Sequence, residues 1–290
     1  MMSAYYSTLG HAKLAARGQA LKPFRRSLRR VPLLRSLLPG AKRWVNNVLL
    51  PNKREWVKVQ SGLARGVWLR LDLNAEGEYW IGTYEARVQS LLKSLCAPRS
   101  IFYDIGASLG FFSFAVASRI GPNAKVFSFE PEPENGLRFR EIAVRNNLQD
   151  RLELVEAAVW SYTCSAGIPF KRGGLQRTYG GVLADGVAPV LAEGETRPVS
   201  TISLDDFIRG GHPAPDVLKI DVEGGECEVL KGGEELFSRA KPALICEVHR
   251  EEAAQWIADW LAGKDYVAVW WVPDELFPRL LFGRPARPHG

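Results

Sequence analysis

Apolar residues along this chain recur at two spacings, and the switching between them outlines a fold. From Ser100 onward, short apolar runs alternate with amphipathic stretches of helical period. Ile101–Ile105, Lys125–Glu130, Leu152–Val155, Val217–Val222 and Ala243–Val248 predict five buried strands. Phe111–Ile120 predicts a helix, and so does Glu134–Asn146, where Leu137, Ile142 and Val144 lie among polar residues. Glu251–Ala262 predicts a third, with Ala254, Trp256, Ile257, Trp260 and Leu261 on its apolar side. Tyr266–Val272 and Leu276–Phe282 read as a closing antiparallel pair. This alternation predicts an α/β fold, a doubly wound and mainly parallel sheet covered by helices on both faces. Such sheets bind ligands outside the carboxyl ends of their strands.

Upstream of that core, Glu55–Asn74 reads as a hairpin, with Trp56, Val57 and Val59 before Ser61-Gly62 and Val67, Trp68, Leu69 and Leu71 after it. Tyr84–Leu95 predicts an amphipathic helix with Val88, Leu91, Leu92 and Leu95 on one face. Residues 161–197 break the pattern. They are rich in Gly, Arg, Thr and Pro without a clear period, which predicts a substrate loop or lid. Gly173-Gly174 and Gly180-Gly181 are candidate hinges there, and Arg172 and Arg177 candidate partners for an anionic acceptor group. The first 54 residues are interrupted by prolines at 23, 32, 39 and 51, and between these Phe24, Leu28, Val31, Leu34 and Leu38 recur at helical spacing. The expected organisation is a basic helical extension over 1–54, a hairpin and helix over 55–98, and a core over 99–290 that carries the loop 161–197.

Charge changes this picture more than composition does. The net charge is +6, yet residues 1–54 hold 12 Lys or Arg and no acid, which leaves the remainder at net −6. A basic arm seeks anionic partners and an acidic domain does not. An anionic membrane surface is one such partner. The alternatives are a helical hairpin docked on the acidic domain and an Arg-rich mitochondrial presequence. No apolar run has the length of a membrane span, and the first residues lack the apolar block of a secretory signal. Cys96, Cys164, Cys227 and Cys246 form no C-x-x-C pair and no zinc-ligand spacing with histidine. Reduced thiols and a cytoplasmic location, peripheral on a membrane through the arm, are expected.

Three strand ends carry candidate chemistry. In Phe102-Tyr103-Asp104-Ile105-Gly106-Ala107-Ser108-Leu109-Gly110 an apolar strand ends in an acid, and two glycines follow at the start of a helix. Gly106 permits close approach of a ligand to the backbone, and Gly110 lets the helix start pack against the strand. Glu130, at the end of the next strand, is placed to accept the hydroxyls of a ribose. The G-x-G-x-x-G of dinucleotide enzymes is absent, and Asp104 would repel a pyrophosphate while suiting the amino group of a cationic cofactor. The second signal is Leu218-Lys219-Ile220-Asp221-Val222-Glu223-Gly224-Gly225-Glu226, where charges alternate with apolar residues at a buried strand end. Burial of such charges is costly unless they are paired or functional. A Lys219–Asp221 structural pair is one reading, and a site role is preferred. The third is Cys246-Glu247-Val248-His249, in which Glu247 and His249 share a strand face.

Together these blocks resemble the FkbM family of methyltransferases. The resemblance rests on Asp104 to Gly110, Phe129-Glu130-Pro131, Leu204-Asp205-Asp206, Lys219 to Gly224, and Glu247 with His249, and Tyr84-Glu85 fits the same pattern. It spans roughly residues 82–250. Ser108 stands where the family usually has asparagine, and Gly225 where it has alanine. The resemblance implies S-adenosylmethionine-dependent O-methylation, typically of a sugar hydroxyl in a glycan, glycolipid or glycosylated natural product. It implies cofactor contacts from Glu85, Asp104, Gly106, Ala107, Ser108, Gly110, Phe111, Glu130, Pro131, Ala157 and Asp221. His249, Asp221 and Glu223 are candidates for taking the acceptor proton. Asp205, Asp206, Asp221 and Glu223 are candidate ligands for a divalent metal such as magnesium. The competing readings are a catalytically idle cofactor-binding scaffold and a nucleotide-dependent oxidoreductase. No nucleic-acid partner is expected, since the Asn/Asp-Pro-Pro-Tyr motif of amino-methylating enzymes is missing.

Overall fold

In a computed structural model of the chain, the described residues are 54–73, 75–119, 124–171, 196–271 and 279–286. The basic extension apart from Arg54 lies outside them, as do residues 172–195 of the expected loop with Arg172, Arg177 and both glycine pairs. Two short strands come first, β1 (Glu55–Lys58) and β2 (Trp68–Leu71), then helices α1 (Gly77–Ile81) and α2 (Ala86–Leu95). Next come β3 (Ile101–Ile105), α3 (Phe111–Arg119), β4 (Lys125–Phe129), α4 (Pro133–Asn146) and β5 (Leu152–Val155). They are followed by β6 (Ala158–Val159), β7 (Cys164–Lys171), β8 (Thr196–Ile202) and α5 (Leu204–Arg209). The chain closes with β9 (Val217–Ile220), α6 (Glu226–Lys231), α7 (Glu234–Arg239), β10 (Ala243–Val248), α8 (Glu251–Ala262), β11 (Tyr266–Trp271) and β12 (Arg279–Pro285).

The expected sheet is present, in the order β11-β12-β10-β9-β3-β4-β5. The five strands from β10 to β5 are mutually parallel, and β12 runs antiparallel between β10 and β11. Strand order reverses at β3: β4 and β5 lie to one side, β9 and β10 to the other. That reversal opens a crevice at the carboxyl ends of β3 and β9.

Alternation along the strands sends residues into two cores. Phe102, Val126, Val217 and Ile245 meet Val88 and Leu92 of α2, Phe112, Val116 and their neighbours of α3, and Phe139 and Ile142 of α4. Tyr103, Phe127, Leu218 and Leu244 point the other way, onto Phe207 of α5, Val229 and Leu230 of α6, Phe237 of α7 and Ile257 and Leu261 of α8. Gly110 has φ +91°, and a Cβ there would come within 2.5–2.6 Å of the Phe139 and Phe114 rings, so glycine is what allows α3 and α4 to close up beside the loop. The β1–β2 hairpin pairs Glu55 with Leu71 through Lys58 with Trp68. Arg138 of α4 fastens it, with Nε on the Arg70 carbonyl at 2.7 Å and both terminal nitrogens on Glu76 at 2.8 and 2.6 Å.

The closing antiparallel pair is present over Tyr266–Trp271 and Arg279–Pro285, while Val272 and residues 276–278 of the expected pair lie outside the described residues. One expectation needs correction. The stretch 161–197 is not all loop, because β7 and β8 pair antiparallel and β6 joins β8 in a separate three-stranded sheet. Small residues and Pro169 hide the period of β7, and its register shifts between Cys164 and Ile168. Pro198 is tolerated in β8 because β6 reaches only Thr201 and Ile202. The short helices α1, α5, α6 and α7 span five or six residues each, too few turns for a period to register. No helix among the described residues is long and apolar enough to cross a membrane.

Candidate active site

The crevice is built first from the loop after β3. Gly106 has φ +77°, and a Cβ there would lie 1.9 Å from the Asp221 carbonyl oxygen, so only glycine brings this turn against the end of β9. Its N–H and that of Ala107 both donate to the Phe129 carbonyl at 3.0 Å, tying the loop to β4. Ser108 is left-handed at φ +50°, a conformation that asparagine adopts more readily. The Ser108 N–H donates to Glu130 Oε2 at 2.8 Å. Glu130 Oε1 accepts from the Glu132 N–H at 2.9 Å and from Asn135 Nδ2 at 3.2 Å. Burial pushes the Glu130 carboxyl up, and these three hydrogen bonds oppose the shift. Phe111, at the head of α3, lies within 5.7 Å of the rings of Tyr79, Tyr84 and Phe112. Pro131 and the buried Ala157 follow the ends of β4 and β5.

Beside this loop, four carboxylates surround one buried ammonium. Strand register places Asp104 between Lys219 of β9 and Ser128 of β4. Lys219 Nζ lies 3.3 Å from Asp221 Oδ2 and 3.9 Å from Asp104 Oδ1, and 5.1 Å from the centre of the Phe112 ring. Asp104 Oδ2 accepts from Ser113 Oγ at 2.6 Å, and Ser128 Oγ donates to Ser113 Oγ at 2.8 Å. Burial alone would lower the Lys219 pKa, but Asp221, Asp104, Glu85 and Glu247 outweigh it and keep the ammonium charged. Burial raises the Asp104 and Glu85 carboxyls, and Lys219 pulls both back. The Glu247 carboxyl is pushed up to about 8 by burial and by Asp221 and Glu85, against Lys219 and His249. Asp104 Oδ1 and Glu85 Oε2 are buried and accept no hydrogen bond.

A second cluster continues from Asp221 toward the surface. His249 Nε2 lies 3.8 Å from Asp221 Oδ1 and 3.3 Å from Glu223 Oε2. Its Nδ1 lies 2.7 Å from Oε1 of the fully buried Glu226, which also accepts the Gly224 N–H at 2.9 Å. Burial disfavours the imidazolium, but the Glu226 hydrogen bond and the charges of Glu226, Glu223 and Asp221 override it, to about 9. Arg250 Nη2 donates to the Gly224 carbonyl at 2.9 Å and closes the turn. Backbone strain gathers here, since Glu85, Ser108 and Glu223 all carry positive φ, as held conformations at functional sites often do.

The structure therefore gathers His249, Asp221 and Glu223, and brings Asp104, Glu85 and Asp221 around Lys219. It does not bring Asp205 and Asp206 to either cluster. Asp205 accepts the Glu235 and Leu236 N–H groups at 2.9 Å, at the amino end of α7. Asp206 is held by Thr163 and by Arg209 at 2.6 Å. Among the described residues, the acid and histidine sets close enough to share an ion are Asp221, Glu223 and His249, and Glu85, Asp221 and Glu247. The Lys219–Asp221 pair is present, as one limb of the larger network. Sequence reading gave no role to Glu226, Ser113 or Ser128. The signal for the two serines is a lone hydroxyl inside Phe-Phe-Ser-Phe and Phe-Ser-Phe, where only a bonded polar group is tolerable.

A family model described as the methyltransferase FkbM domain matches residues 104–268. The chain is 28% identical over 208 residues to hexuronic acid methyltransferase AglP of Haloferax volcanii, covering 68% of this chain and 80% of that protein. It is 31% identical over 178 residues to 31-O-demethyl-FK506 methyltransferase FkbM of Streptomyces tacrolimicus, covering 54% of this chain and 68% of that one. Among solved structures, the methyltransferase FkbM of Methylobacillus flagellatus KT aligns with 64% of this chain at 19% identity and a TM-score of 0.47, and this chain spans 44% of that one.

Proposed function

This chain belongs to the FkbM family of methyltransferases, and from that premise we propose that it transfers a methyl group from S-adenosylmethionine to a hydroxyl of a sugar-containing acceptor. The observation that carries this reading is the pair of buried carboxylate oxygens that accept no hydrogen bond, Glu85 Oε2 and Asp104 Oδ1, the second with the Lys219 ammonium no nearer than 3.9 Å. Such orphaned acceptors cost about 1–3 kcal/mol each, and an ammonium group offers three donors to answer them. A site this acidic suits a cationic cofactor and opposes a pyrophosphate, which counts against the oxidoreductase reading. Glu130 would take the ribose hydroxyls, with Pro131 and Ala157 beside it, and Gly106, Ala107, Ser108, Gly110 and Phe111 would form the floor.

When bound, the cofactor supplies an electrophilic methyl group on a sulfonium. The chain's own work is to orient the acceptor, exclude water and deal with the hydroxyl proton. Asp221, Glu223 and His249 are the group assigned to that proton, because they meet at the same strand ends. A uronic acid is the favoured acceptor class, supported by the hexuronic acid named for the relative AglP. Arg172 and Arg177 are the proposed partners for its carboxylate, and the segment between β7 and β8 that carries them is proposed to cover it. The arm over 1–54, with 12 basic and no acidic residues, is proposed to hold the enzyme at an anionic membrane surface, each charge there contributing on the order of 1 kcal/mol.

The test is transfer of labelled methyl to uronate-containing and neutral oligosaccharides. We expect label on the uronates, stable to mild base as an ether is. Label released by mild base would mean a carboxyl ester and sink the hydroxyl assignment. Absence of S-adenosylmethionine binding in calorimetry would sink the cofactor. For the arm, equal flotation with anionic and neutral vesicles at low salt would remove the membrane reading.

A further inference from the structure

We infer that Asp221, Glu223 and His249 form a binding site for a divalent cation, with Glu226 fixing the imidazole in its ligating orientation. Asp221 divides its carboxylate between two neighbours. Oδ2 is taken by Lys219 at 3.3 Å, while Oδ1 faces His249 Nε2 at 3.8 Å. Glu223 Oε2 stands 3.3 Å from the same nitrogen, and one ligand atom from each residue lies within 4.8 Å of the others. Around an ion with bonds of roughly 2.0–2.2 Å, adjacent ligand atoms are about 3 Å apart. The 3.3 Å from Nε2 to Glu223 is about 0.3 Å wider than that spacing and the 3.8 Å to Asp221 about 0.8 Å wider, so small side-chain rotations would close the set on one ion.

Glu226 supplies the independent observation. It is wholly buried, its Oε1 sits on His249 Nδ1 at 2.7 Å, and its Oε2 has no partner. With Nδ1 held on this carboxylate, Nε2 is the nitrogen turned toward Asp221 and Glu223, and a cation bound there would replace the Nε2 proton between the three ligand atoms. A buried carboxylate behind the far nitrogen is also the usual support of a metal-bound histidine. The neighbouring set, Glu85, Asp221 and Glu247, differs in already having Lys219 among it. One nitrogen and two carboxylates suit a borderline-hard ion, for which Mn²⁺ is a direct probe. Glu223 keeps 34% of its side chain exposed, so an acceptor hydroxyl can reach the remaining coordination positions. The role of the ion deepens the methyl-transfer reading, since a bound cation would orient that hydroxyl and acidify it, leaving His249 as a ligand. The binding itself stands apart from that reading.

The experiment is titration of chelator-stripped full-length protein with Mn²⁺, without methyl donor, followed by electron paramagnetic resonance and calorimetry. One equivalent should bind. Affinity should fall at least tenfold in Glu223→Gln and His249→Ala, neither of which touches Lys219, and by roughly 10- to 100-fold in Glu226→Gln. S-adenosylmethionine binding measured on the same variants reports whether they are folded. Wild type that takes up no Mn²⁺, or folded Glu223→Gln and His249→Ala proteins that bind it as wild type does, would overturn the site. If Mn²⁺ fails while S-adenosylmethionine binds, the cation is rejected and the methyl-transfer reading stands; the reverse result rejects the cofactor and keeps the cation.

Discussion

Lys219 Nζ lies 3.3 Å from Asp221 Oδ2 inside the sheet, with the lysine side chain 3% exposed and the aspartate 17%. Removing the ammonium leaves the largely buried Asp104 and Asp221 without their cation. Losing one partner of a buried pair costs about 3–5 kcal/mol. Lys219→Met should therefore lower unfolding free energy by that order in urea denaturation. A loss below about 1 kcal/mol would mean that the acids are protonated or solvated and do not depend on Lys219.

Glu130→Ala should weaken S-adenosylmethionine binding by about 1.5–3 kcal/mol, the contribution of a hydrogen bond to a charged group. Calorimetry reads this as roughly 10- to 100-fold in affinity. Unchanged affinity would take Glu130 out of the cofactor site and leave it as the brace of the Ser108 N–H.

Gly106→Ala should damage the fold and the site together. The added methyl would fall 1.9 Å from the Asp221 carbonyl, at a φ of +77° that side chains disfavour. We expect destabilisation of at least about 1–3 kcal/mol and loss of methyl-donor binding at temperatures where the protein remains folded. A variant with wild-type melting and affinity would show that the turn can move away from β9.

His249→Ala should reduce turnover by roughly 10²-fold or more, with methyl-donor affinity near that of wild type. Single-turnover kinetics beside calorimetry separates the two effects. A parallel loss of binding would place His249 in the cofactor site.

Glu247 provides the pH signature. Its carboxyl is raised from 4.5 to about 8 in the folded protein, so the folded state holds that proton more tightly than the unfolded chain. The stability it contributes is fully present below about 4.5 and is lost as pH rises through about 8. Glu247→Gln keeps the shape of the neutral acid. Its stability should match wild type near pH 5 and exceed it near pH 8.5. A difference independent of pH would show Glu247 ionised throughout.

The sheet was readable because its signals are local. A strand buried on both faces is a short apolar run, and a covering helix is a period of 3.6, as in Ile101–Ile105 followed by Phe111–Arg119. The Gly106 turn was legible for the same reason, since a tight turn and the acid before it are neighbours in the chain. β7 escaped because Pro169 and a run of small residues carry no period, and because its partner β8 lies across residues 172–195.

The chain order by itself determined the strand and helix alternation, the family blocks, and the set of acids at strand ends. It did not determine which acids act together. Asp205 and Asp206 look like a ligand pair beside Asp221 and Glu223, yet Asp205 is spent on backbone N–H groups thirty residues away. Glu226 looks like an ordinary helix-start acid, yet it lies fully buried against His249, twenty-three residues on. Lys219 is surrounded by carboxylates because β9 lies between β3 and β10 in the sheet. Periodicity records which face a residue turns to the core, a property of its own few neighbours. Charge pairing depends on distances of 3 to 4 Å between segments remote in sequence, and only the order of strands in the folded sheet decides those.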